Sequence, residues 1–169
     1  MGDNVDAAAG FPAIARADAR ILILGSLPGQ RSLDANQYYA HPRNTFWKIM
    51  REIAGAEGNY GERCEALKDH GIALWDVLAS SVRPGSMDAN IQSDTAVAND
   101  FSGFLSNHEA VETICFNGQK AAQMFSRMVQ PGLDRNGLHF ESLPSTSPAY
   151  ASMSYVDKLN KWRSIITKI

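Results

Sequence analysis

Between Gln37 and Trp47 the chain gathers two tyrosines, a histidine, an arginine and an asparagine in the run Gln37-Tyr38-Tyr39-Ala40-His41-Pro42-Arg43-Asn44-Thr45-Phe46-Trp47. Rings, an imidazole, a guanidinium and an amide at that density suit the recognition of a flat, polar ligand. Tyr38 and Tyr39 fall outside any helical face, and exposed tyrosines in a loop are natural stacking platforms for a planar ring system. His41 can satisfy a backbone group or meet a ligand. Asn44 stands just before a helical pattern, where its side-chain oxygen can cap the helix, the reading that composition favours over a catalytic one. Phe46 and Trp47 read as core.

Two further segments carry polar or small residues at element ends. Gly25-Ser26-Leu27-Pro28-Gly29 follows an apolar run and fits a tight turn. Gly25, Ser26 and Leu27 could also let a bound group approach backbone N–H groups. The segment matches neither the GxGxxG fingerprint nor the P-loop lysine motif, so no nucleotide cofactor, and no cofactor of any kind, is expected. Leu143-Pro144-Ser145-Thr146-Ser147-Pro148-Ala149 is either a plain turn or an anion-binding loop, its hydroxyls and freed N–H groups suiting phosphate. Lys158, Lys161 and Arg163 are placed on the outer face of the last helix, solvated or near such a phosphate.

The elements that must position these residues follow from periodicity. The chain has 169 residues, 44% of them hydrophobic and 20% charged, which suits one compact domain with a buried core. Apolar runs at Ile21–Leu24 and Ile72–Trp75 predict two buried strands, and Val111–Phe116 and Leu138–Leu143 read as a third and a fourth strand. Helical spacing predicts helices over Asn44–Gly55, Glu62–Asp69 (closed by His70-Gly71), Thr95–Asn107 (capped by Asp94), Gln119–Val129 and Tyr155–Ile169. The last helix would turn Val156, Leu159, Trp162, Ile165 and Ile166 inward. Gly25–Arg43 and the stretch through Arg83-Pro84-Gly85 read as long loops without periodicity. Strands alternating with helices predict an α/β fold: a single three-layer α/β/α domain over 1–169 with a central four-stranded parallel sheet and a flexible N-terminal extension over 1–18. Ligands of such sheets bind outside the carboxyl ends of the strands, where three of these loops would converge.

The formal charge of −2 makes no global case for binding a polyanion, so any phosphate contact must rest on a local patch. Cys64 and Cys115 are too few for an iron–sulfur cluster and read as reduced thiols. His41, His70, His108 and His139 lack metal-ligand spacing, so no metal is expected. No run approaches the ~18 apolar residues of a membrane span, and the acidic start lacks a secretory n-region. A soluble cytoplasmic protein, monomeric and without a membrane partner, is the expectation.

Taken in order over residues 20–165, the strand-plus-GSLPG start, the Tyr39–Trp47 junction and the Pro144–Ala149 loop resemble the uracil-DNA glycosylase superfamily. Ile21–Gly29 together with Gln37–Trp47 is most similar to its hypoxanthine-DNA (deoxyinosine) glycosylase branch. The resemblance implies a uracil-DNA glycosylase-like fold and a monofunctional base-excision-repair hydrolase. Its substrate would be double- or single-stranded DNA carrying a deaminated base, which must be flipped out before its N-glycosidic bond is reached. Relatives with a GxNPG loop position water with the asparagine at the third place; here that residue is Leu27, and in the hypoxanthine branch Asn44 is the natural replacement. Tyr39 matches the aromatic that stacks on the flipped base, and Ser145, Thr146, Ser147 and Pro148 match the loop that presses into the duplex and grips phosphate. The resemblance puts Asp76 and Asn117 at strand ends facing the pocket, Asp76 as a base-edge or water partner and Asn117 equally as a helix cap. Two other readings stay open: a uracil or mismatch glycosylase, which Leu27 disfavours, and a non-catalytic nucleic-acid-binding relative, which the same leucine favours. No close pair of carboxylates of the sugar-hydrolase kind is evident, so catalysis would rest on positioning and on a good leaving group.

Overall fold

The structure is a computed structural model that describes residues 7–85 and 87–168, with side chains described as far as Ile165. In chain order its elements are β1 (Ala7–Ala9), β2 (Ile21–Gly25), α1 (Gln30–Ala35), α2 (Phe46–Ala54), α3 (Tyr60–Asp69), β3 (Ile72–Asp76), β4 (Leu78–Val82), β5 (Val97–Ala98), α4 (Phe101–Asn107), β6 (Thr113–Asn117), α5 (Gln119–Met128), β7 (His139–Leu143) and α6 (Tyr155–Trp162), with short 3₁₀ turns between and after them.

All five residues of β2 are buried, as expected of a strand covered on both faces. Alternation along the strand sends its side chains to two separate cores. Leu22 and Leu24, with Ala73, Ile114 and Phe116, pack beneath Phe101, Phe104, Met124 and Phe125 of α4 and α5. Ile21 and Ile23, with Ile72, Leu74 and Cys115, pack against Phe46, Ile49, Met50, Leu67 and Trp162 of α2, α3 and α6. The sheet is four-stranded and wholly parallel, in the order β3-β2-β6-β7. The three layers of an α/β/α architecture follow.

That strand order reverses between β2 and β6, so the crevice of a doubly wound sheet opens at their carboxyl ends. Register fixes what stands there. Gly25 lies opposite Asp76, and Asn117 opposite Leu143. Every strand of the sheet thus hands a site residue, or the loop bearing one, to the same rim.

Several local expectations change. Residues 7–18, read as part of a flexible extension, carry β1, which pairs antiparallel with β4, and Ile14, which bridges Leu74; residues 1–6 lie outside the described residues. Three consecutive alanines give no strand signal of their own, so this pairing is set by the partner edge. β1, β4 and β5 form a second, three-stranded sheet, drawn from the expected N-terminal extension, the expected irregular stretch and the start of the expected Thr95–Asn107 helix. The loop from Gly25 holds α1, closed by Asn36 in the left-handed conformation with φ of 52°. The helix expected over Thr95–Asn107 begins only at Phe101, because Asp100 rather than Asp94 accepts from the Gly103 N–H, while the Thr95 hydroxyl receives the Val82 N–H. Val156 points to solvent at 62% exposure, since α6 starts at the Ser154 cap. Lys158 is buried instead, its ammonium donating to the Tyr150 carbonyl at 2.6 Å. The Ile166 side chain lies outside the described residues.

Trp162 joins this core to the rim. It is fully buried, and its indole N–H donates to the Pro144 carbonyl at 2.9 Å. Trp162→Phe keeps most of the apolar volume but strands that carbonyl, and should cost about 1–3 kcal/mol in urea unfolding at unchanged m. A loss under about 0.5 kcal/mol would show that the bond does not hold the loop.

Candidate active site

A cavity of about 600 Å³ opens at the carboxyl rim, in the size range of small-ligand sites. All twelve candidate residues line it: Gly25, Ser26, Leu27, Tyr39, His41, Asn44, Asp76, Asn117, Ser145, Thr146, Ser147 and Pro148. What they do there differs from residue to residue.

Gly25, Asp76 and Tyr39 make the floor. A Cβ on Gly25 would stand 2.6 Å from Asp76 Oδ1 and 2.8 Å from the Tyr39 hydroxyl, so glycine is required for these groups to meet the end of β2. Asp76 is 4% exposed. Burial first, and the nearby Asp88 carboxylate second, push its carboxyl up to about 7, with Arg83 pulling the other way. Tyr39 stacks one face on Phe46, the ring centroids 4.1 Å apart, and its backbone is left-handed at φ of 54°. Such strain in a bulky residue persists only where neighbours enforce it. Here the Trp47 indole donates to the Tyr38 carbonyl at 2.8 Å, and the Ala40 N–H donates to the Ser32 hydroxyl. Burial, then Asp76, raises the Tyr39 phenol well above its ordinary range, so it remains an intact hydroxyl.

Tyr38 corrects an expectation. It is buried, and its hydroxyl donates to the Pro12 carbonyl at 3.0 Å, which makes it a strut to the N-terminal segment rather than a second stacking surface.

His41 and Asn44 close the far side. His41 Nδ1 accepts the Arg43 N–H at 3.1 Å, the backbone-satisfying role. Asn44 Oδ1 accepts the Phe46 N–H at 3.0 Å. The formal cap of α2 is Thr45, which makes no side-chain capping bond, so Asn44 supplies the helix start from one residue earlier. That bond aims the amide while leaving Oδ1 a lone pair and Nδ2 its hydrogens.

The Gly25–Gly29 loop is held by residues that sequence reading left unassigned. The buried Arg83 guanidinium donates to the carbonyls of Leu27 and Pro28 and lies 3.6 Å from Asp88. Asp88 in turn accepts the Ser26 hydroxyl at 2.6 Å. Ser26 is therefore committed to shaping its loop, and Leu27 is buried in the core on the α4–α5 side of the sheet. Arg83 sat in a stretch without period; the signal available was an arginine immediately before Pro84-Gly85.

Asn117 grips the opposite loop at both ends of its amide. Its Oδ1 accepts the Thr146 N–H and its Nδ2 donates to the Thr146 hydroxyl, each at 2.9 Å. Thr146 is fully buried, so it anchors the loop instead of reaching a phosphate. The hydroxyls of Ser145 and Ser147 accept the N–H groups of Ser147 and Ala149 in two successive tight turns. Arg31 and Arg43, also unassigned from sequence, are exposed and line the mouth. Among the described residues no three His, Cys, Asp or Glu side chains gather as metal ligands, and no helix is long and apolar enough to cross a membrane.

The sequence model of the Uracil DNA glycosylase superfamily matches residues 11–167. A protein of Methanosarcina acetivorans named hypoxanthine DNA glycosylase is 35% identical over 159 residues, covering 92% of this chain and 96% of that protein. One of the same name from Methanosarcina barkeri is 37% identical over 143 residues, covering 83% and 86%. The solution NMR structure of a uracil DNA glycosylase candidate from Methanosarcina acetivorans superposes with a TM-score of 0.80 at 32% identity, over 96% of this chain and 98% of that one.

The Asp76 carboxyl makes the fold pH-sensitive. The folded chain holds this proton more tightly than the unfolded one, whose carboxyl titrates near 3.8. Its contribution to stability is thus fully present below that range and is lost as pH rises through about 7. Asp76→Asn removes the loss, so the gain in melting temperature over the parent should be larger at pH 8 than at pH 5. An equal change at both would show that Asp76 carries no such shift.

Proposed function

The chain belongs to the uracil DNA glycosylase superfamily, and from that premise we propose that it excises hypoxanthine from deoxyinosine in DNA, hydrolysing the N-glycosidic bond and leaving an abasic site. The observation that carries this reading is the convergence of stacking ring, aimed amide and polar floor in one cavity of base-accommodating size, in a chain similar to proteins named for that activity.

A base buried in a duplex must leave the stack before its sugar bond is accessible. The free face of Tyr39, backed by Phe46, receives the flipped base by stacking, worth about 1–3 kcal/mol per base. Asp76 and the backbone at Gly25 and Ser26 then face the base edge, while His41 and Asn44 face the sugar side. As the glycosidic bond lengthens, the sugar becomes oxocarbenium-like and the base takes up the electron pair. Asn44, whose amide is oriented by the Phe46 N–H, holds the attacking water. Leu27 cannot do this: its side chain has no polar atom and is spent in the core. The Ser145–Pro148 loop, braced by Asn117 and Trp162, presses on the DNA backbone, and Arg31 and Arg43 supply the local positive charge that the net charge of −2 does not.

The test is to incubate labelled duplexes containing deoxyinosine, deoxyuridine or deoxyxanthosine with the protein and score abasic sites. Deoxyinosine should be cleaved fastest. Asn44→Ala, with melting temperature preserved, should lose about 100-fold or more in single-turnover rate, the cost of a misplaced nucleophile. Abasic product from none of the three substrates would overturn the enzyme reading, and full activity in Asn44→Ala would remove that residue from the mechanism.

A further inference from the structure

A buried polar atom in the cavity floor, Asp76 Oδ2, has no hydrogen-bond partner among the described residues. Its side chain flanks Gly25 together with Tyr39, whose hydroxyl has the Asn117 amide as a neighbour. Buried polar groups are nearly always paired, and an orphan costs about 1–3 kcal/mol. The nearest cation does not resolve the matter, because Arg83 gives its terminal nitrogens to the Leu27 and Pro28 carbonyls and to Asp88. The carboxyl therefore faces a cavity, out of bulk water, with no counter-ion bonded to it.

We propose, resting on the glycosylase reading above, that Asp76 is the proton donor to the departing base. The C1′–N bond breaks and its electron pair stays with the base. The Asp76 proton moves to the base heteroatom on which that charge collects. Water held at Asn44 bonds to C1′ through oxygen and releases one proton, which restores the Asp76 carboxyl. The balance is one water consumed, with free base and an abasic-sugar hydroxyl formed.

The surroundings favour the acid form. Burial and the facing Asp88 carboxylate both resist ionisation of Asp76, while Arg83 opposes them with a charge already shared with Asp88. Tyr38 and Tyr39, the other titratable groups felt at this floor, keep their protons, since burial raises both phenols. His41 lines the same cavity. An ionised carboxylate in this position would repel the anion forming on the base. A carboxylic acid removes that anion as it forms.

Single-turnover excision of deoxyinosine between pH 5 and pH 9 tests the assignment. The parent rate should be level in acid and fall about tenfold per pH unit above about 7. Asp76→Asn can still donate a hydrogen bond but has no proton to transfer. It should be about 100-fold slower or more at pH 6 and lose the falling limb. Asp76→Glu should keep a limb at a displaced midpoint, and His41→Gln should keep the limb where the parent has it. A parent rate independent of pH, a limb that vanishes in His41→Gln, or an Asp76→Asn variant with parental rate would each overturn the proton-donor role while leaving the glycosylase reading standing. No cleavage of deoxyinosine at any pH would overturn that reading itself.

Discussion

A parallel sheet covered on both faces leaves one place where its backbone can meet a ligand, the carboxyl ends of its strands, and everything functional in this protein depends on the pairing of β2 with β3 there. The pair places Gly25 directly across from Asp76. Because one partner has no side chain, the other can lean over the strand end, and the Tyr39 ring can close over both. Any residue larger than glycine would push a carboxylate and a phenol apart. The chemistry of the cavity thus begins as a packing fact about one missing methyl group.

Around that floor the loops are held by polar groups spent on backbone. Arg83 fixes the Gly25–Gly29 loop through two carbonyls, Asn117 fixes the Ser145–Pro148 loop through both ends of its amide, and Ser32 and Trp47 fix the strand of residues between Tyr38 and Ala40. None of these contacts touches a ligand. They keep the other groups of the cavity from relaxing, the preorganisation that a site acting on a bound base requires. A protein holding an unpaired carboxyl in its core gives up stability for this, and the two well-filled cores on either face of the sheet offset it.

What could be read from sequence was whatever has a period or a strand end. Ile21–Leu24 announced a doubly buried strand by being apolar at every position, and the polar residues that follow such strands were bound to share a rim. Asn44 was legible as a helix start, and its side-chain oxygen does receive the Phe46 N–H. Arg83 and Asp88 were not legible, because their partners lie 56 and 62 residues away and an aperiodic stretch carries no mark of them. Tyr38 and Tyr39 look alike in sequence; the carbonyls of Phe11 and Pro12 decide which one turns inward. Lys158 read as a solvated face by composition, yet the Tyr150 carbonyl draws it in. In each case a partner outside the local pattern overrode it.

The left-handed backbone of Tyr39 has a consequence for how such a site can drift over time. A side chain other than glycine or asparagine spends roughly 1–2 kcal/mol to stand there, and the ring is the only return on that strain. Exchange for another bulky aliphatic keeps the strain and forfeits the stacking face; exchange for glycine relieves the strain and forfeits it too. Only an aromatic keeps the ring, and losing the hydroxyl then alters the polar floor beside Asp76. The position is therefore a narrow pass in sequence space: a lineage that crosses it must alter the wall of the cavity and the polar floor beneath it together, so the shape of this cavity changes by jumps and not by degrees.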